Sequence, residues 1–522
     1  MRVDERLLKY VRVWTTSDEE SQTSPTTERQ FDLARMLVQE MREIGIKDAD
    51  MDKYGYVYGH VPATPGYEDK TAIGFIAHMD TAPDYSGENV GPQVIEAYDG
   101  NDVGLGTSGK VLSPADFPEL KKLAGRTLIT TDGTTLLGAD DKAGIAEILT
   151  AVEELINGDI PHGKISVSFT TDEEVGSGAK HLDLERFGAP YAYTVDGGPE
   201  GEIQFENFNA ASAEFYIHGV NVHPGEAKGI MKNSQKIAME IQGMLPPEEA
   251  PEYTEGYEGF FHLIEMTGTV EESRLSYLIR DFDSESYANR KRLMQDIAAA
   301  INEKYGDGTV ELILKDSYRN MREKIEPCME LIDYAKKACE LAGVEPDAAP
   351  IRGGTDGARL SFVGLPCPNL GTGGYGFHGA FEHITAEGMD KAKEIIKNII
   401  NILYVGVDEN GLHFSTSSEA ALNLSETGKA ILKGPMGVTA NVKLSSFTAG
   451  FLLVMVALIV VLNLVNSRSG RAIMALRDNR IAAESVGVNV TKYKMMAFVT
   501  SAALAGAAGT LFAANYSTIV AN

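Results

Sequence analysis

The sequence predicts an α/β protein: a catalytic domain with a mixed sheet flanked by helices, interrupted by a ferredoxin-like α+β domain and followed by a foreign tail. Three observations carry this. Strand-like runs alternate with helical stripes between residues 71 and 200. A β-α-β-β-α-β order occupies residues 209–320. The composition changes near residue 400, where nine Lys and Arg against six Asp and Glu give residues 401–522 a net of +3, leaving −31 on the first 400 of a chain whose total is −28.

Each element follows from its periodicity. Phe31, Ala34, Leu37, Val38 and Met41 form an apolar stripe at helical spacing. Ile73, Phe75 and Ala77 alternate in a strand that runs into His78 and Asp80. Residues 136–156 pass from a loop into a helix with Ile145, Ile148, Leu149, Val152 and Leu155 on one face. Ile165, Val167 and Phe169 mark a strand ending at Asp172-Glu173-Glu174, and Tyr191–Val195 one ending at Asp196. In the interrupting domain the pattern predicts a strand over Ala213–Val220 and a helix over Ser234–Met244. Strands around Phe260–Val270 and Leu275–Phe282, a helix over Ser286–Lys304 and a strand over Val310–Leu314 complete it. A helix around Met329–Leu341 resumes the α/β pattern. The expected domains are 1–208 and 321–398 (two segments of a catalytic domain), 209–320 (an inserted lid or dimerisation-type domain) and 399–522 (the tail).

In the tail, Phe447–Leu464 and Met495–Val520 are uncharged stretches of 18 and 26 residues, two candidate transmembrane helices. Arg468, Arg471, Arg477, Arg480, Lys492 and Lys494 between them place that loop on the cytoplasmic side. Two buried helices of a soluble domain are the alternative. The acidic balance argues against a nucleic-acid partner, since phosphate binding needs clustered Lys and Arg. Cys328, Cys339 and Cys367 show no metal-type spacing and fit free thiols in a reducing compartment. Charges interrupt the N-terminal apolar pattern, so no signal peptide is expected.

The candidate chemistry lies where strands end. His78 and Asp80, Glu173 and Glu174, and Asp196 follow three strands, and Asp140 precedes a helix. In open α/β sheets, ligands bind beyond the carboxyl ends of strands. Imidazole and carboxylate without nearby thiols suit a pair of divalent ions sharing a ligand. Of two adjacent carboxylates, one can hold a metal while its neighbour handles a proton of the attacking water. Taken singly these are weak signals: Asp-Asp before a helix is usually an N-cap, and Glu-Glu is usually solvated.

Six stretches together resemble the tripeptide-aminopeptidase branch of the zinc aminoacylase and carboxypeptidase superfamily, the peptidase T family: GFIAHMDTAPD (74–84), TTDG with LLGADDKAG (130–144), TDEEVG (171–176), YTVDGG (193–198), ENFNAA (206–211) and IRGGTDGA (351–358). The resemblance covers about residues 1–395. It implies two zinc ions, with one bridging water or hydroxide, held by His78, Glu174, Asp196 and His378 with Asp140 between them. It implies Glu173 as general base and then acid, Asp80 orienting the His78 ring, and His223 in NVHPG (221–225) reaching the scissile carbonyl oxygen. Phe381 stands where the family pattern has a histidine; His378 remains the expected ligand, with His383 the alternative. For the substrate carboxylate, Arg280, Arg322 and Arg352 are candidates, with Asn207 and Asn209 as polar contacts.

The implied activity is release of the N-terminal residue of a tripeptide by a cytoplasmic enzyme, with a homodimer as one option. A dipeptidase or N-acyl amino-acid deacylase is the nearest alternative. The tail, through residues 467–489 and GPMGV (434–438), resembles a branched-chain amino-acid ABC-transporter permease fragment. It opens a second alternative, a transporter subunit contacting a membrane or an ABC ATPase, with inner-membrane association.

Overall fold

The computed structural model describes residues 1–400 apart from 159 and, in the tail, residues 404–408, 411–415, 429–433, 438–439, 461–478, 483, 489–501 and 518–519. Two compact units divide the chain, Met1–Ile402 and Leu403–Asn522.

The first unit is built on a seven-stranded mixed sheet in the order Asp50–Met51, Val57–Val61, Ile165–Thr170, Ile73–His78, Tyr191–Val195, Asn369–Leu370, Ile203–Gln204. The four strands from Ile165–Thr170 to Asn369–Leu370 run parallel, and the flanking pairs are antiparallel. Their side chains are buried on both faces, as parallel strands covered by helices require. Helix Ala139–Asn157 lies on the Ile73–His78 strand and packs against helices Val3–Tyr10 and Ala386–Ile400. The expected stripe of Ile145, Ile148, Leu149, Val152 and Leu155 is buried in this core.

The interrupting domain has the expected β-α-β-β-α-β order, with its antiparallel sheet arranged Phe260–Gly268, Glu272–Asp281, Asn209–His218, Val310–Tyr318. Helices Ser234–Gly243 and Ser284–Tyr305 pack on it around their own core of Phe215, Ile237, Leu275, Met294 and Ile297. Its first strand starts at Asn209 rather than Ala213, because Asn209–Ser212 pair with Leu278–Asp281, a long-range partner that local propensity does not reveal.

Three asparagines pin the two crossings into this domain. Asn207 Oδ1 accepts the Met321 N–H at 2.7 Å, and Asn209 Oδ1 accepts the Asn320 N–H at 3.0 Å. Asn320 Oδ1 in turn accepts the Asn207 N–H at 3.3 Å. A second sheet that the periodicity did not announce joins Gly374–Tyr375, His383–Thr385, Leu128–Thr131 and Pro92–Ile95. Its strands have two to four residues, too short for a pattern to form, and partners as far apart as Leu128 and Thr385.

In the second unit, strands Tyr404–Asp408, Gly411–Ser415 and Lys429–Lys433 pair antiparallel, and Arg468–Asp478 is helical. Most of the two candidate spans, 447–464 and 495–520, falls outside the described residues. Among the described residues no helix is long and apolar enough to cross a membrane.

A buried ion network ties three helices of the first unit. Arg6 Nε lies 2.7 Å from Glu40, its Nη2 2.8 Å from Glu153, and its Nη1 donates to Thr150 Oγ1 at 2.6 Å. The Arg6 side chain is 1% exposed and Glu40 5%. Arg6→Ala therefore leaves a buried carboxylate served by Lys9 alone. It should lower unfolding stability by about 3 kcal/mol, read from urea unfolding through Trp14, the chain's single tryptophan. A loss below about 1 kcal/mol, the scale of a surface ion pair, would show the network to be dispensable.

Candidate active site

Five of the residues singled out in the sequence converge beyond the carboxyl ends of the parallel strands. His78 closes the Ile73–His78 strand, Asp196 follows Tyr191–Val195, and Glu174 lies four residues past Ile165–Thr170. Asp140 lies at the start of the Ala139–Asn157 element in a non-helical conformation, and His378 sits between two strands of the smaller sheet. His78 Nε2 is 3.0 Å from Asp140 Oδ1 and 3.6 Å from Asp196 Oδ1. His378 Nε2 is 3.0 Å from Glu174 Oε2 and 3.6 Å from Asp140 Oδ2. Asp140 thus stands between the two imidazoles, one oxygen towards each.

Backbone geometry brings these arms together. Gly144 passes so close to the sheet that a Cβ there would lie 2.0 Å from the Val195 carbonyl, so the first turn after Asp140 and the end of the Asp196 strand meet through a glycine. Asp172 and His378 both adopt φ of 61°, a left-handed conformation uncommon for side-chain-bearing residues. Asp80 braces the Glu173-Glu174 turn, its Oδ1 accepting the Glu173 N–H at 3.0 Å and its Oδ2 the Glu174 N–H at 3.1 Å. Asp80 also lies behind His78, whose Nδ1 is 3.1 Å from the Asp80 carbonyl oxygen and 3.5 Å from its Oδ1.

Among the described residues, two groups of donor atoms are close enough for a cation, His78 with Asp141 and Asp196, and His78 with Asp140 and Glu174. In the sequence Asp141 shows only as the second acid of an Asp-Asp pair before a helix. Its oxygens accept the His78 N–H at 3.1 Å and the Gly144 N–H at 3.2 Å, which makes it a brace between strand and helix. Glu382 was also missed as a support. It is buried and accepts the N–H groups of Leu137, Gly138 and Asp140 at 2.7, 2.8 and 3.0 Å, holding the loop that delivers Asp140. No local pattern marks a carboxylate that serves backbone amides some 240 residues away.

The remaining expected residues are dispersed. His223 is exposed on the inserted domain, where its Nδ1 accepts the Gly225 N–H at 3.1 Å; among the described residues it touches none of the five. Arg322 pairs with Glu206 and Glu326. Arg352 donates to the carbonyls of Thr254, Gly256 and Glu258 and lies over the Phe208 ring. Asn207 and Asn209 spend their amides on backbone groups at the domain crossing. Arg280 makes a 3.2 Å contact to the Ile279 carbonyl and lies over the Tyr318 ring, and no carboxylate among the described residues forms an ion pair with it. His383, the alternative to His378, is buried with Nδ1 on the Phe381 carbonyl and its ring stacked on Tyr375; neither it nor His378 is among the two donor groups, but His378 Nε2 faces Glu174 and Asp140.

The electrostatics are those of crowded acids. Burial disfavours the His78 cation, but Asp196, Asp140 and Asp80 outweigh it and raise its proton affinity well above that of a free imidazole. Hydrogen bonds to Asp140 and Glu174 push His378 up to about 11. Burial and the Asp140 charge raise Glu174 to about 7, and burial with Asp356 lifts Glu173 well above the usual carboxylate range. Glu174 Oε1 is buried with no hydrogen-bond partner. Two imidazoles, three carboxylates, an orphaned oxygen and no thiol fit a pair of divalent cations bound through N and O.

A cation must displace the protons on both imidazoles. Metal uptake near neutral pH should therefore release protons, from the imidazoles and in part from Glu174, and apparent affinity should rise with pH. Calorimetric titration with zinc in buffers of different ionisation enthalpy measures this; heats independent of the buffer would contradict it.

Residues 205–309 match the peptidase dimerisation domain family, and residues 393–522 match the branched-chain amino acid transport system / permease component family. The fold resembles that of aminopeptidase PepT from Bacillus cereus, with a TM-score of 0.62 at 23% identity over 76% of this chain and 97% of that one. It also resembles a dinuclear metal-binding peptidase of the M20 family from Bacillus subtilis, with a TM-score of 0.52 at 16% identity over 76% and 97%. The sequence is 55% identical to the peptidase T of Halothermothrix orenii over 403 residues, 77% of this chain and 98% of that relative. At that identity, over nearly the whole length of the relative, the chain belongs to the peptidase T family.

Proposed function

We propose that this chain is a two-zinc aminopeptidase that releases the N-terminal residue of tripeptides. Residues 1–208 and 321–398 would form the catalytic domain, 209–320 the lid, and 399–522 a permease-like appendage outside the chemistry. The observation that carries the reading is Asp140, whose two oxygens face the imidazoles of His78 and His378 while Asp196 and Glu174 close the two sides. His78 with Asp196 and His378 with Glu174 would each hold one ion, and Asp140 would be shared. Bound there, the ions supply Lewis acidity to the attacking water and the scissile carbonyl.

The protein groups account for the rest. Glu173 is fixed through its N–H by Asp80, and its raised proton affinity lets it take a proton from water and return it to the leaving amine. His223 stands exposed and apart from the five site residues, its Nδ1 accepting the Gly225 N–H; its neutral ring would offer the Nε2 proton to the oxygen that gains charge only once the lid or a second copy of the chain brings it to the site. Of the three arginines, Arg280 has its fork least committed to other groups and is the favoured partner for the peptide carboxylate. The second family match in the tail supports no transport role by itself. A cytoplasmic location for the peptidase, and a homodimer through the domain matched at 205–309, belong to the same reading.

The test is hydrolysis of Met-Gly-Gly by the full chain, before and after chelation and zinc re-addition, beside dipeptide and N-acylated substrates. Zinc-restored release of methionine with Gly-Gly left intact is the expected result. Cleavage confined to dipeptides or acylated amino acids would move the assignment elsewhere in the superfamily. Glu173→Ala should lower kcat by about 10²- to 10⁴-fold with two metals still bound. Near-wild-type turnover by such a protein would end its role as the base.

A further inference from the structure

The N-terminal segment from Val13 to Gln30 contributes no candidate ligand, yet it is bonded to three of the segments that do. At its start the Val13 carbonyl accepts the Lys142 ammonium at 2.9 Å, and Lys142 is buried two residues after Asp140. Next, Thr16 bridges in parallel to Thr81, the neighbour of Asp80, and their hydroxyls lie 3.0 Å apart. Ser17 donates from N–H and Oγ to the Thr81 carbonyl at 3.2 and 3.3 Å. At its end the segment grips Asp172, the residue before Glu173. The Thr26 N–H lies 2.9 Å from both Asp172 oxygens, the Thr26 hydroxyl donates to Oδ1 at 2.6 Å, and Gln30 Nε2 donates to Oδ1 at 2.7 Å. The Asp172 N–H returns a bond to Gln30 Oε1 at 3.2 Å.

We infer that residues 13–30 form a strap that sets the positions of the Asp80, Asp140 and Glu173-Glu174 arms, with Asp172, Thr26 and Gln30 as its positioning residues; this rests on the metallopeptidase reading above. The physical case lies at Asp172. It is 1% exposed and left-handed at φ of 61°, a conformation that an L residue keeps where its surroundings over-determine it. Its carbonyl accepts the Ser177 N–H at 2.8 Å, which closes the turn. The turn bends the chain just where Glu173 and Glu174 take separate tasks. Asp80 fixes the two amides of that turn, and the strap fixes the residue before it and Thr81 after Asp80. Both ends of the brace therefore depend on one segment. The strap is itself internally joined: Thr27 Oγ1 donates to the Thr16 carbonyl at 2.9 Å, and the Arg29 guanidinium lies 3.8 Å from the Trp14 ring centroid. A displacement of about 1 Å in a reacting group can cost about 100-fold in rate.

The polarity of the Asp172–Gln30 pair gives a test by exchange. Asp172→Asn turns one of the two accepting oxygens into a donor, set against either the Gln30 amide or the Thr26 N–H, and Gln30→Glu places a second carboxylate against Asp172, whereas the double variant restores a donor-acceptor pair with the roles reversed and the asparagine oxygen left for Thr26. In the full-length protein each single variant should lower kcat for Met-Gly-Gly by about 10- to 100-fold with KM changed less than about threefold, and the double variant should return to within about threefold of wild type. Metal stoichiometry should stay at that of wild type. With cobalt(II) as the probe, the visible absorption bands should shift in the single variants and return in the double. Should a single variant fail to fold, Thr26→Val, which deletes one hydroxyl donor, should lower kcat by about tenfold and shift the cobalt bands in the same way. Variants that lose thermal stability while keeping kcat and the cobalt spectrum, or a double variant no better than the worse single, would overturn the strap's role. If the wild-type protein cleaves no tripeptide, the functional reading fails separately, and the cobalt spectra alone decide whether the strap positions the site.

Discussion

The constraint on which the rest of this structure depends is the crowding of carboxylates at one end of a parallel sheet. Asp80, Asp140, Asp141, Glu173, Glu174, Asp196, Asp356 and Glu382 are gathered around two imidazoles, and burial raises the cost of each charge. The molecule sorts them by what their oxygens meet. Asp80, Asp141 and Glu382 accept backbone N–H groups, which satisfies them and fixes the loops they hold. Asp140, Glu174 and Asp196 face imidazoles and one another. The first set builds the frame, and the second is left open to cations.

That division explains why the arms can come from segments as distant as residues 78 and 378. A strand end fixes a Cα well but leaves a side chain free to turn, so each arm needs a second anchor. His78 has Asp80 behind its ring, and Asp140 has Glu382 under its amide. The inserted domain is held differently: Asn207, Asn209 and Asn320 bond across its two crossing strands. Asparagine suits such a crossing, because one side chain can both accept and donate to backbone that neither sheet has paired.

The sequence carried the parts of this that are periodic or contiguous. The parallel strands, the Ala139–Asn157 helix and the element order of the inserted domain follow from apolar spacing, and the site residues stand at strand ends within short motifs. The smaller sheet escaped because strands of two to four residues hold no period, and Glu382 and Asp141 because their partners are backbone amides that no residue type marks. Arg322 and Arg352 show what a sequence leaves out about partners. An arginine near a site motif reads as an anion receptor, but Glu206 and the Thr254–Glu258 carbonyls occupy these two.

The frame has an energetic corollary. In the open set, Glu174 Oε1 has no partner, and the Asp140 carboxyl, despite its burial, is held below the usual range by His378 and His78. The imidazoles of His78 and His378 thus face these acids as their nearest basic groups. A proton on a ring nitrogen satisfies one direction, whereas a divalent ion satisfies several oxygens and nitrogens at once. The same crowding that is costly for the bare protein would therefore favour bound cations, and site formation and metal binding would then be one equilibrium. The arms have to be stiff for this to work: if they could splay, the acids would relax apart, and the repulsion that favours the ions would be lost.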